Sequence, residues 1–564
     1  MGATTKKPSR AAVDNPTGEH ARHEESGHGE AGKAAPAAAD EHRTKDQKGP
    51  LQRFLDGVEW LGNLLPHPVT LFALLAVCVV LVSGIGGWLE WSVADPRPEG
   101  AAGRTEDGRI AALSLLSADG LRWVVENLVS NFVNFVPLGT VLVALLGVGV
   151  AEASGLLGAG IRAIVLSAPR KLVPTAVVFT GVISNTASEA GYVILVPLAG
   201  VVFLAVGRHP IAGMAAAFAG VSGGYSANLF IGTIDPLLAG ITQEAAQLVR
   251  PGYEIHPAIN WYFMVVSTFM VTGVGTWVTV RIVEPKLGPY DPRYADDGLE
   301  KMGGMEPLSR LEKRGLAWAG LAAFAVIGLL ALAVVPESGV LRNPETGELL
   351  RSPFLRGMVA LIFIFFLVPG VVYGVATGKM RSDRDVINGM SGAMSALGLY
   401  IVIVFFAAQF VAFFGHTNLG SLLAVVGADF LQARGLDGPV IFAPFILMCG
   451  FVNLLLGSAS AQWAVTAPIF VPMLMEAGYA PEVIQAAYRI GDSVTNIITP
   501  MMAYFGLILA MAARWDKRTG IGTIVATMLP YSVCFLIGWM FLFYLWVFVL
   551  GLPVGPEAAT YLPG

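Results

Sequence analysis

Between Asn453 and Pro500 the chain carries apolar runs long enough for a bilayer, and those runs stop twice, at G-S-A-S (Gly457 to Ser460) and at D-S-V-T-N-I-I-T-P (Asp492 to Pro500). Backbone that leaves the helix in hydrocarbon must find partners for its freed N–H and C=O groups in protein, water or a bound ion. A break at such a place predicts a site. Arg489 and Asp492 stand in the same stretch, three positions apart and hence on one helical face, where each ionisable side chain costs several kcal/mol.

Composition fits a chain built for lipid. Of 564 residues, 54% are hydrophobic and 14% charged, against about 25% charged in soluble domains. The expectation is an all-α polytopic membrane protein whose main partner is the lipid bilayer. Net charge is −5, and Lys and Arg lie mostly between the apolar runs, so no nucleic-acid surface is expected. Cys78, Cys449 and Cys534 fall in apolar segments without metal-ligand spacing, which points to neither disulfides nor zinc. With no phosphate-binding loop and no H-E-x-x-H, neither an enzyme nor an ATP-driven pump is expected, and no cofactor beyond a coupling ion, Na⁺ or H⁺.

Residues 1–49 hold almost no large apolar side chain and read as a disordered cytoplasmic tail, with His20, His23, His28 and His42 solvated there. No apolar stretch follows Met1, so no cleavable signal is expected. After an amphipathic stretch, Phe54 to Leu65, residues 50–550 form a transmembrane domain, followed by an external tail, 551–564. Nine spans of about 20 residues are expected near 67–91, 127–150, 211–240, 258–283, 315–336, 354–375, 393–415, 483–511 and 522–550, with re-entrant hairpins at 172–206 and 439–476. This topology collects Arg162/Arg170/Lys171, the loop from Lys286 to Arg314, Lys379/Arg381/Arg384 and Arg514/Lys517/Arg518 on one side, which cytoplasmic loops favour, and so places the N-terminus inside.

The two hairpin regions look alike. G-V-I-S-N-T-A-S-E-A-G-Y-V-I-L-V-P (from Gly181) and G-F-V-N-L-L-L-G-S-A-S-A-Q-W-A-V-T-A-P (from Gly450) each run from one apolar arm through an A-S tip to a proline-bearing second arm. Each is followed by a broken helix, S-A-N-L-F-I-G-T-I-D-P (Ser226 to Pro236) and S-V-T-N-I-I-T-P (Ser493 to Pro500). Regions 171–240 and 439–511 thus form an inverted repeat of the kind that carries the midplane site of secondary transporters.

At such breaks, carbonyl, Asn and Ser oxygens can replace a cation's water. One candidate cation site draws on Asn185, Ser188, Asn228 and Asp235; the other draws on Asn453, Ser458, Ser460, Asp492 and Asn496. Hard oxygens suit Na⁺, while Asp235 or Asp492 could carry protons instead. Arg489 offers a fork for a solute carboxylate if it faces inward, or staples two helices if it does not. Trp463 could stack on an aromatic solute or simply pack, and Pro468, Pro481 and Pro500 most simply set kinks. An ion channel and an intramembrane enzyme using Asp235 and Asp492 as paired acids are the rivals from other classes.

Several of these stretches, together with L-G-N-L-L-P-H-P-V-T-L-F (Leu61 to Phe72) and N-F-V-N-F-V-P-L-G (Asn131 to Gly139), resemble the AbgT family of p-aminobenzoyl-glutamate transporters. The resemblance covers about Leu51 to Leu550. It implies a homodimer in the bacterial cytoplasmic membrane, with an inner transport region and an outer scaffold in each protomer. It also implies import of p-aminobenzoyl-glutamate or export of sulfonamide antimetabolites. By motif position it assigns the solute to Asp235, Ser460, Trp463, Pro481, Arg489, Asp492 and Pro500, and a cation to Asn453 and Asp492. The family often reads S-N-L-A-S-D-A-G where this chain has Thr186 and Glu189. The expected function is therefore cation-coupled secondary transport of p-aminobenzoyl-glutamate or related aromatic carboxylates, with proton-driven sulfonamide efflux as the alternative.

Overall fold

The computed structural model describes residues 66, 68–95, 107–187, 191–295, 308–348, 352–433, 435 and 438–562. The tail, the 54–65 stretch, and Ser188 and Glu189 at the first hairpin tip lie outside these residues. Among those described, eight helices are long and apolar enough to cross a membrane: Val69–Trp88, Ala118–Ser154, Trp261–Leu287, Arg310–Val334, Met358–Thr377, Gly398–His416, Pro439–Leu456 and Ile521–Val549. A ninth candidate, Leu156–Ser167 with Arg170–Ser184, bends by 117°. The protein is an all-α polytopic membrane protein; its one described sheet is a small hairpin, Ser92–Ala94 paired antiparallel with Arg109–Ala111.

The outermost helix explains its own place. Arg310–Val334 starts in a capping box, where Ser309 and Glu312 satisfy each other's backbone N–H groups. It then leaves Phe324, Leu329 and Leu332 about three-quarters exposed. A helix apolar all round with so little buried belongs against lipid.

Several expectations changed in detail. The span expected at 127–150 is the second part of a longer path, Ala118–Val133 and Val136–Ser154, broken at Asn134 and Phe135. Pro137 accounts for the break: in a continuous helix it would have no N–H to donate to the Val133 carbonyl and its ring would clash with that carbonyl, whereas the first turn of a new helix accepts it. The spans expected at 211–240 and 483–511 are each helix on both sides of a non-helical middle of turns and bends. The first runs Pro210–Phe218 and Ala219–Gly223, then non-helical chain to Ile234–Gln247. The second runs Pro481–Thr495, then non-helical chain to Phe505–Trp515. Leu156–Ser167, Asp383–Ala396 and Leu419–Ala433, where loops or span edges were expected, are short helices.

Each hairpin is helix, break, helix. The first has arms Val173–Ser184 and Val196–Ala205, joined on the described side by Asn185–Ala187 and Gly191–Leu195. The second has arms Phe442–Leu456 and Ala459–Glu476. Its turn is set by Gly457, at φ +59° with the Met501 backbone against it, a place no side chain fits.

The repeat reappears in packing. In the first hairpin Gly181 lies on the backbone of Gly220 in the first broken helix, and in the second Gly491 of the second broken helix lies on the backbone of Ile446 and Gly450. Small residues let helices touch backbone to backbone where lipid offers no hydrophobic drive for association. Gly491→Leu should therefore cost about 1–3 kcal/mol by overpacking, read as a lowered melting temperature of the detergent-purified protein.

Candidate functional site

The two hairpins and two broken helices converge on one cavity of about 320 Å³. Asn185 and Tyr192 come from the first hairpin, Tyr225 and Thr233 from the non-helical part of the first broken helix, Ser458 and Ser460 from the second hairpin, and Asn496 and Tyr504 from the second broken helix. Val141, Leu145 and Tyr400, outside the repeat, close the wall. Of the residues singled out by sequence, Asn185, Ser458, Ser460 and Asn496 line this space. The others described stand behind or beside it.

In the first arm of the second hairpin, Asn453 is wholly buried, and its Nδ2 donates to the Asp492 carbonyl at 2.8 Å, Thr495 Oγ1 at 2.9 Å and Asn496 Oδ1 at 2.8 Å. Asn453 Oδ1 and both carboxylate oxygens of Asp492 accept no hydrogen bond, although Asp492 is 0% exposed. The Asn496 amide and the Arg489 guanidinium act on that carboxylate from nearby, but neither completes a hydrogen bond to it. A buried carboxylate left this way is costly unless a proton or cation joins it.

Arg489 does not bond the Asp492 carboxylate three positions away. Its Nη2 meets Asp235 Oδ1 at 2.6 Å, with both side chains under 5% exposed. Asp235 sits in the first turn of Ile234–Gln247, where its Oδ2 accepts from Gly232 N at 2.7 Å, and acids are favoured at that end of a helix. The Arg stem therefore crosses from one repeat to the other. Ser226 N, which donates to Ser493 Oγ at 3.1 Å, makes a second link of this kind.

The first repeat echoes the second. Asn185 donates through Nδ2 to the Gly224 carbonyl at 3.4 Å, and its buried Oδ1 has no partner, as with Asn453. Asn228 Oδ1 accepts from Thr186 Oγ1 at 2.8 Å and Phe230 N at 3.3 Å, so that oxygen is already engaged.

Trp463 has no exposed face here. Its ring stacks on Tyr488 at 4.1 Å and 21°, and its Nε1 donates to Thr242 Oγ1 at 2.8 Å. Pro481 is buried in the first turn of its helix, and Pro500 is half-buried in the non-helical stretch. The aromatic wall of the cavity belongs instead to four tyrosines that sequence reasoning did not single out, Tyr192, Tyr225, Tyr400 and Tyr504. Tyr192 and Tyr504 stack at 4.6 Å and 5°. The signal available was a tyrosine close after each set of breaks, an amphipathic ring in an otherwise apolar run. Among the described residues, no three His, Cys, Asp or Glu side chains gather as a metal site.

Known proteins of the same shape exist. Residues 53–562 match the AbgT transporter family model. The chain is 37% identical over 499 residues to the p-aminobenzoyl-glutamate transport protein of Escherichia coli (strain K12), covering 88% of this chain and 95% of that one. Among solved structures, Neisseria gonorrhoeae MtrF, described as illuminating a class of antimetabolite efflux pumps, is 59% identical with a TM-score of 0.84, covering 90% of this chain and all of its own. The Alcanivorax borkumensis YdaH transporter, described as having an unusual topology, is 43% identical with a TM-score of 0.81, covering 87% of this chain and all of its own.

Proposed function

Because the chain belongs to the AbgT transporter family, we propose that it is a cation-coupled secondary transporter of p-aminobenzoyl-glutamate or related aromatic carboxylates. It lies in the bacterial cytoplasmic membrane with its N-terminus inside, works as a homodimer, and sets its two repeats in opposed senses. The observation that carries coupling is the partnerless Asp492 carboxylate. Together Asp235, Asp492 and Arg489 hold two carboxylates to one guanidinium, an excess of one negative charge that a single Na⁺ or H⁺ balances. For Na⁺, the partnerless Asn453 Oδ1 supplies a second hard oxygen.

The solute's ring lies against Tyr192 and Tyr504, with its polar groups toward Ser458, Ser460 and Asn496. Its carboxylate takes Arg489 when Asp235 releases it, an exchange of one charge-assisted pair for another. Uptake of labelled p-aminobenzoyl-glutamate into proteoliposomes under imposed Na⁺ or proton gradients of either sign tests the proposal. Flux should saturate and rise with solute on the far side, as a carrier requires and a channel does not. Tyr504→Ala should raise KM about tenfold, the worth of an aromatic contact of about 1.4 kcal/mol, while Tyr504→Phe leaves it near the wild-type value.

A second reading takes its cargo from the description of MtrF, antimetabolite efflux; we propose sulfonamides as that cargo and protons as the driving ion. Drug tolerance of expressing cells that disappears with an uncoupler would establish it.

A further inference from the structure

A second cavity, of about 290 Å³, lies on the same helices as the first. On Val136–Ser154, Val141 and Leu145 line the first cavity, while Val136 and Thr140 line the second. On Ile234–Gln247, Ile234 and Leu237 line the first, while Pro236, Ala239, Gly240 and Gln243 line the second. These helices pack on each other. Along the first helix the second cavity takes the earlier positions, and along the other, Pro236 apart, the later ones, which sets the two spaces on neighbouring stretches of one seam between antiparallel helices.

Between them stands a narrow partition. Gly240 lies against the ring and nitrogen of Pro137, and the Pro137 carbonyl accepts from the Tyr400 hydroxyl at 2.9 Å, with Tyr400 itself on the first cavity's wall. The far end of the second cavity is wet. Glu254 and Arg356 form an ion pair there at 3.2 Å, with side chains 71% and 64% exposed, and such a pair is worth about 0–1 kcal/mol, so a passing solute carboxylate can displace it cheaply.

We propose that this second cavity is the opposite vestibule of the solute path, closed from the first by the Pro137–Gly240 contact, with Arg356 at its mouth as the first cation that an anionic solute meets. Helix Val136–Ser154 lies outside the repeat and Ile234–Gln247 within it, so parting the two is the motion that would join the spaces. The inference rests on the chain being a carrier and not on which solute it carries.

The test is sidedness. In full-length protein with its three native cysteines replaced by serine, Thr140→Cys and Leu145→Cys are treated with a membrane-impermeant, positively charged methanethiosulfonate in right-side-out and inverted vesicles. About 1.5 Å of helix rise per residue separates the two positions by under two turns. The expected result is that each is modified from one face only, and that the faces are opposite. Ala239→Cys and Leu237→Cys repeat the comparison on the other helix, so that one misfolded variant does not decide it. Modification of both cavities from the same face, of either from both faces, or of the second from neither overturns the proposal. Because sidedness is read without solute, absence of p-aminobenzoyl-glutamate transport is a separate outcome.

Discussion

Asp492→Asn is expected to abolish gradient-driven accumulation of solute while the protein remains folded. The substitution keeps the shape of a fully buried side chain and removes the charge that has no hydrogen-bond partner. In the wild type, the ion that enters to join this carboxylate binds the folded protein alone, so it should raise the melting temperature. At about a hundred times its dissociation constant such a ligand contributes about 2.7 kcal/mol. The variant should show no such ion-dependent shift, whether the ion varied is Na⁺ or the proton. Accumulation that persists in Asp492→Asn under the same gradient would assign the coupling to another group.

The second large effect concerns the bridge between the repeats. Arg489→Gln should cost about 3–5 kcal/mol, because truncating one partner of a buried pair leaves the other charge unmatched. Here it leaves two carboxylates, Asp235 and Asp492, in one buried region. Asp235→Asn should cost less, since Arg489 then has Asp492 on its own helical face to turn to. The double variant Asp235→Asn/Arg489→Gln should recover part of the loss, a coupling that melting temperatures in a double-mutant cycle would read. It should still fail to transport. Additive costs in that cycle would mean that the two side chains do not hold each other.

The parts of this site legible in sequence are those with a single physical use. A cluster of Gly, Ser and Asn inside an apolar run has no other good reason to be there, and Asn185, Ser458, Ser460 and Asn496 all reach the cavity. The partner of Arg489 was not legible, because helical spacing names neighbours on one face while the carboxylate it meets is 254 positions away. Whether the Trp463 ring faces a cavity or a neighbour depends on Tyr488, which comes from a different helix. Leu156–Ser167, Asp383–Ala396 and Leu419–Ala433 escaped notice for a simpler reason. Each is shorter than a span, and hydrophobic length is what a bilayer makes readable.

The glycine contacts that join each hairpin to its broken helix have an evolutionary consequence. They assign architecture chiefly to the helical seams, Gly181 on Gly220 and Gly491 on Ile446 and Gly450, while Thr233, Asn496 and Tyr504 on the non-helical stretches line the cavity. Descendants of one ancestor can exchange a few side chains at Thr233, Asn496 or Tyr504 and acquire a new diet without renegotiating how their helices assemble. Relatives similar to one chain and yet described by different cargoes, p-aminobenzoyl-glutamate in one and antimetabolites in another, are what such a division of labour would leave behind.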